Sequence, residues 1–206
     1  MKTLLLSIAV LFIVTAARAQ DDGDGTVRTY QVAHGTKSMV PDSIKLRIDG
    51  NVAYYQKTFK LDSNIKISTI YVRALQFMAA KNFQQNYGYD QEGKMIYTST
   101  QDLNPVNAND YDEPGIFTVQ FAITIDIKNG RYRSTVNNVT FYLPSENGNK
   151  RVTLYEMYKK ETGGESKRVA RGAKSVIDSF EKYLIALTND LYTEVEHKAD
   201  IYNSKF

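Results

Sequence analysis

The stretch GIFTVQFAITIDIKNGRYRSTVNNVTFYLP, Gly115 to Pro144, decides the fold. In its first half Phe117, Val119, Phe121, Ile123, Ile125 and Ile127 occupy alternate positions, while Thr118, Gln120, Thr124, Asp126 and Lys128 point the other way. A period of two marks a strand with one face buried and one in water. The run ends at Asn129-Gly130, a dipeptide suited to the two positive φ angles of a type I′ turn, and a second strand follows at once. A two-residue loop sets the register. It places Lys128 opposite Arg131, Ile127 opposite Tyr132, Asp126 opposite Arg133, Ile125 opposite Ser134, Thr124 opposite Thr135 and Ile123 opposite Val136. The Asp126/Arg133 and Thr124/Thr135 pairs suit a solvent face. Continued without interruption, the ladder would bury Asn138 and expose Val139, Phe141 and Leu143. A β-bulge near Asn137-Asn138 is therefore expected, because one extra residue returns those side chains to the core.

Working outward, Ile44 to Leu61 reads as strand, with Asp49-Gly50 as a break and Val52 to Leu61 as the aromatic and β-branched part. Beyond it Ile67, Ile70, Tyr71, Ala74, Phe77 and Met78 recur at helical spacing, which predicts a helix from about Ser68, as N-cap, to Gln85. Asn86 to Gln101 reads as a short hairpin, NYGYDQ and KMIYTST around Glu92-Gly93. Downstream, RVTLYEMY is a strand or a helical turn and ETGGES a loop. Val176, Ile177, Phe180, Leu184, Leu187, Leu191 and Val195 then trace the apolar stripe of a long helix from about Val169 to Lys198.

Residues 1–19 have the form of an export signal: Lys2, the apolar run LLLSIAVLFIV, and the small-x-small site Ala17-Arg18-Ala19, so cleavage is expected between Ala19 and Gln20. The apolar run is short for a bilayer span. The sequence has no cysteine, which excludes a lipoprotein signal, a disulfide and thiol catalysis. Without Lys2 and Arg18, the 26 basic residues stand only one ahead of the 23 acidic ones. That near balance, together with export, argues against nucleic acid as a partner. The expected organisation is a signal peptide (1–19), a flexible polar leader (20–43), one domain (44–200) and a short tail (201–206), in a soluble periplasmic or secreted protein.

Few residues invite a chemical role. The DDGDG run fails as an EF-hand, since the twelfth position counted from Asp22 is Ala33 where a bidentate Glu is needed. Asp110, Asp112 and Glu113 cluster in LNPVNANDYDEP with no His or Cys beside them, and a solvated loop is the expectation. His34 and His197 stand in no base motif, and neither a phosphate loop nor a paired metal-ligand spacing occurs. Asp42-Ser43-Ile44 and Asn138-Val139-Thr140 match short glycosylation patterns at chance level. Lys159, Lys160, Lys167, Arg168, Arg171 and Lys174 form a basic cluster, expected as a solvated helix face interspersed with Glu161 and Glu165. No catalytic residue, cofactor or metal site is expected.

The segments Tyr55 to Leu61, Ser68-Thr69-Ile70-Tyr71-Val72-Arg73-Ala74-Leu75, Lys94 to Tyr97 and Ile127 to Arg133 give the protein a likeness. It resembles the exported Bacteroidetes proteins grouped as a domain of unknown function with a TATA-binding-protein-like (TBP-like) fold, over about Val52 to Lys198. Phe77 stands where that family often has Trp, and both fill a core. The resemblance implies a curved antiparallel sheet, in the order β-α-β-β-β-β-α, with two helices on its convex side, and it implies no function. Pattern alone gives the α+β class, with helices on one face of an antiparallel sheet. The expected function is a non-enzymatic binding or interaction module for an envelope protein or glycan, using Thr118, Gln120, Thr124, Asp126, Arg133 and Thr135 on the open face. The alternatives are a small-lipophile carrier with a helix-grip cavity and an envelope hydrolase.

Overall fold

The structure, a computed structural model, describes residues 44–62, 64–86, 93–105, 115–146 and 148–197. The export signal with its Ala19/Gln20 site, the leader, the NYGYDQ strand beyond Asn86, the Asp110, Asp112 and Glu113 loop and the tail lie outside the described residues. The elements are β1 (Lys45–Asp49), β2 (Val52–Lys60), α1 (Ile67–Ala80), β3 (Gln84–Gln85), β4 (Lys94–Leu103), β5 (Phe117–Lys128), β6 (Arg131–Ser145), β7 (Gly148–Thr153), α2 (Leu154–Thr162) and α3 (Lys167–His197). All strand pairings are antiparallel and the sheet runs β1-β2-β6-β5-β4-β3, with β7 also on β6. The α+β class and one-sided helices are as expected. The order is fuller than β-α-β-β-β-β-α, because Gly50 turns β1 back onto β2, the two-residue β3 joins β4, and β7 runs straight into a third helix.

The β5–β6 hairpin sits at the centre and keeps the expected register, from Lys128↔Arg131 to Ile123↔Val136. The bulge is present: Ala122 pairs with Asn137 and Gln120 with Thr140, so Phe121 alone faces Asn138 and Val139. Asn138 takes φ 53°, a left-handed angle that Asn tolerates better than most residues. Val139 and Phe141 are buried on the helix side as a result. The turn differs from expectation. Only Gly130 has positive φ, 66°, whereas type I′ needs positive angles at both central residues.

Helix α1 begins two residues earlier than its expected cap: Lys66 is the N-cap and makes no side-chain capping bond, and Ser68 lies inside the first turn. It ends at Ala80, short of Gln85, because Asn82 adopts φ 59°. The Asn82 N–H then donates to Ala79 O and Phe83 N–H to Met78 O, each at 3.0 Å, the paired bonds of a Schellman stop. Helix α2 is set by a capping box: Glu156 N–H donates to Thr153 Oγ1 while Thr153 N–H donates to Glu156 Oε2. The expected ETGGES loop is shorter, since Glu161 and Thr162 belong to α2 and Gly163 caps it, and Ser166 Oγ accepts from Val169 N–H to open α3.

The core lies between the sheet and the three helices. Phe180 of α3 is fully buried at its centre, in edge-on contact with Tyr55, Phe121 and Phe141 at 5.9, 5.3 and 5.7 Å between ring centroids. Two polar groups on this side are tied to α3: Tyr55 OH donates to Glu181 Oε1 at 3.0 Å and Lys57 Nζ to Asn189 Oδ1 at 3.1 Å. Arg73 of α1 donates to Val195 O at 2.6 Å, a carbonyl near the C-terminal end of α3 where a cation is favoured.

Candidate functional site

Among the described residues the three helices pack on one face of the sheet, and the other face is built mainly of strand side chains. Alternation puts the odd-numbered apolar residues of β5 under the helices, leaving Thr118, Gln120, Ala122, Thr124, Asp126 and Lys128 on the open side. Register brings the expected residues together in rows. Thr118 donates to Asp102 Oδ1 of β4 at 2.6 Å, and Tyr142 donates to Gln120 Oε1 at 3.1 Å. Arg133 directs Nε and Nη2 to one oxygen, Asp126 Oδ2, at 3.2 and 2.9 Å. Gln56 donates to Thr135 Oγ1 at 3.3 Å, and Thr124 pairs with Thr135 but sinks between its neighbours and is buried. Half of the Arg133 side chain is exposed, so that ion pair is a modest stabiliser and an accessible charge pair.

The bulge creates a concavity on this face. On one edge of β6 the last pair with β2 is Tyr55↔Val136 and the first pair with β7 is Thr140↔Thr153. Among the described residues no strand pairs with Asn137, Asn138 or Val139 on that edge, and the two strands diverge as a fork. A cleft of about 520 Å³ opens there. Among the described residues Asn51, Gln120 and Asn138 supply amides to its lining, Thr98, Thr140 and Thr153 hydroxyls, and Arg151 the one charge. Val52, Ala53, Phe121, Val139 and Leu154 add apolar surface, with Tyr155 at the start of α2. Lys159 holds its ammonium 5.0 Å from the centroid of the Tyr155 ring.

Of the residues expected on the binding face, Gln120 alone lines this cleft; Thr118, Thr124, Asp126, Arg133 and Thr135 share the face outside it. Arg151, Thr153 and Tyr155 were not expected. The Thr153-x-x-Glu156 capping pattern, which ends the strand and starts a helix, was the signal available for them.

Perturbed acids lie elsewhere. Burial, then the neighbouring Tyr192 and Glu196, pushes the Tyr132 hydroxyl well up, and burial raises Tyr183 to about 12. Burial and a hydrogen bond with Glu196 raise Tyr192 to about 12. Tyr132 and Tyr192 belong to the aromatic stack around Phe59 on the helix side, and Tyr183 to α3. Glu156 is lowered by the Thr153 backbone and side-chain hydrogen bonds of its cap. Among the described residues no group of three or more His, Asp or Glu is placed to hold a metal ion, and no helix is long and apolar enough to cross a membrane.

No family model and no curated protein matches the sequence. Solved structures do. A TBP-like protein from Parabacteroides distasonis superposes with a TM-score of 0.58 at 10% identity, covering 72% of this chain and 96% of that one. A DUF4468 family protein from Bacteroides ovatus gives 0.54 at 12% identity, covering 71% and 90%. At such identities the likeness carries the architecture and no activity. The two matches and the one-sided antiparallel sheet agree: the fold of this protein is TBP-like.

Proposed function

We propose that the protein is a non-enzymatic binding module of the bacterial envelope, exported by the signal at 1–19 and cleaved between Ala19 and Gln20, with one domain over 44–200 that binds through the open sheet face. Membership of the exported Bacteroidetes family of unknown function belongs to the same reading, and the two solved neighbours support it. The observation that carries the proposal is the one-sided layering. The helices fill one face with interlocked aromatic rings, while the other offers Thr, Gln and Asn side chains and a cleft that no layer covers among the described residues. The packing of Phe180 against three strands favours this reading over a cavity gripped by α3.

The test is affinity capture from an envelope extract with the protein and two variants. Thr118→Lys combined with Arg133→Glu alters accessible positions of the open face and abolishes capture. Lys182→Glu, on the exposed side of α3, leaves capture intact. Equal capture by both variants would sink the proposal.

A further inference from the structure

We infer that the cleft at the β2/β7 fork binds an acidic saccharide, a short sugar carrying one carboxylate; this rests on the reading of the open face as a binding surface. Its volume, about 520 Å³, falls within the roughly 300–1,000 Å³ of small-molecule sites. Among the described residues Arg151 is the only charged side chain in the lining, and it takes part in no ion pair with them. Its field reaches Glu156, but that carboxylate is committed to the Thr153 cap. A lone guanidinium in a cleft without lining carboxylates suits one planar anion, which it can grip with two parallel N–H donors.

The neutral groups select the remainder of the ligand. Thr140 is only 7% exposed and lines the cleft between Gln120 and Thr153, and its hydroxyl, which makes no hydrogen bond among the described residues, opens to solvent there. A ligand in the cleft can bond it without displacing a protein partner. Gln120 accepts through Oε1 from Tyr142, which leaves its NH₂ to donate into the cleft, and Asn138 presents a further amide at the bulge. Amides and hydroxyls that both donate and accept match sugar hydroxyls, which do the same. The half-buried Tyr155 ring offers an apolar surface to a sugar's C–H face. An apolar ligand would strand these polar groups, and a polyphosphate would face a single cation.

Titration calorimetry of the full-length protein with glucuronate, glucose and acetate tests the assignment. Glucuronate is expected to bind saturably and at least about tenfold more tightly than glucose or acetate, since a charge-assisted contact typically contributes a factor of ten or more. Arg151→Gln lowers glucuronate affinity about tenfold and leaves glucose unchanged. Thr140→Val, which keeps the shape and removes the hydroxyl, weakens both sugars. Absence of saturation by glucuronate, equal binding of acetate, or an unaltered Arg151→Gln variant overturns the assignment. If it fails while Thr118→Lys with Arg133→Glu still abolishes capture, the ligand class is wrong and the binding face stands. If both fail, the binding face falls with it.

Discussion

Deleting Asn138 tests the central inference about the hairpin. The residue is the extra one in β6: Phe121 faces Asn138 and Val139 together. Without it Val139 alone faces Phe121, while the Gln120↔Thr140 pair and those beyond it are kept and every later side group of β6 holds its face. Were Asn138 instead a regular rung, its loss would turn Val139 and Phe141, 4% and 0% exposed, to water, at a cost of about 1.5–3 kcal/mol for each buried residue. A loss under about 1 kcal/mol is therefore expected, against about 3–6 kcal/mol for such a slip, a large part of the roughly 5–15 kcal/mol of an ordinary domain. Asn138→Gly is the control, because it keeps the φ of 53° without a Cβ penalty and should change stability by under about 1 kcal/mol. Asn138→Val places a β-branched residue at that angle and should cost about 1–2 kcal/mol. Urea unfolding followed by circular dichroism measures all three. A deletion variant that loses about 3 kcal/mol or more would show that Asn138 is not the extra residue of the ladder, and the reasoning would be refuted.

Three further outcomes are expected. Phe180→Ala, which empties the centre of the aromatic cluster, should cost about 3–5 kcal/mol in the same assay; a loss near zero would contradict the packing. Thr153→Ala should cost about 0.5–2 kcal/mol through the lost cap. Because Glu156 is lowered from its ordinary 4.5, the stability the cap adds is complete above that value and disappears as pH falls through the lowered one. The difference between wild type and Thr153→Ala should therefore shrink in acid, and a difference constant from neutral pH down to full Glu protonation would speak against the cap. Tyr183 and Tyr192 are raised from 10.0 to about 12 and Tyr132 is raised as well, so stability should be level below about pH 10 and fall as pH rises from about 10 towards 12. Tyrosinate absorbance together with unfolding midpoints checks this; unchanged midpoints across that window would contradict it.

The hairpin was readable because its information is local. Period two gives the faces, Asn129-Gly130 the register, and the change of parity at Val139 the bulge. What the residues could not convey was the turn's backbone: Asn129-Gly130 permits type I′, but only Gly130 takes a positive angle. Residue type does not mark the end of α1: the helical pattern continues past Ala80, while Asn82 stops the helix through its backbone conformation. Helix α2 was ambiguous since RVTLYEMY holds both periods, the strand half ending at Thr153 and the helix half starting at Leu154. The fork cleft was largely invisible. Asn51, Thr98, Gln120 and Arg151 are brought together only by the pairing of β2, β4, β5 and β7 around β6, and no single stretch carries that arrangement.

The fork also bears on how the protein assembles. Strands β5 and β6 are joined by two residues, so their ladder closes with little loss of conformational entropy. By contrast β2 must reach the same strand across α1, β3 and β4, a much longer closure. The hairpin is therefore favoured as the early template, with β2 and β7 zipping onto separate halves of one strand. Asn138 keeps those two events from competing for the same backbone groups. Larger φ-values for substitutions in the hairpin than in β2 would register that order, and the reverse ranking would exclude it.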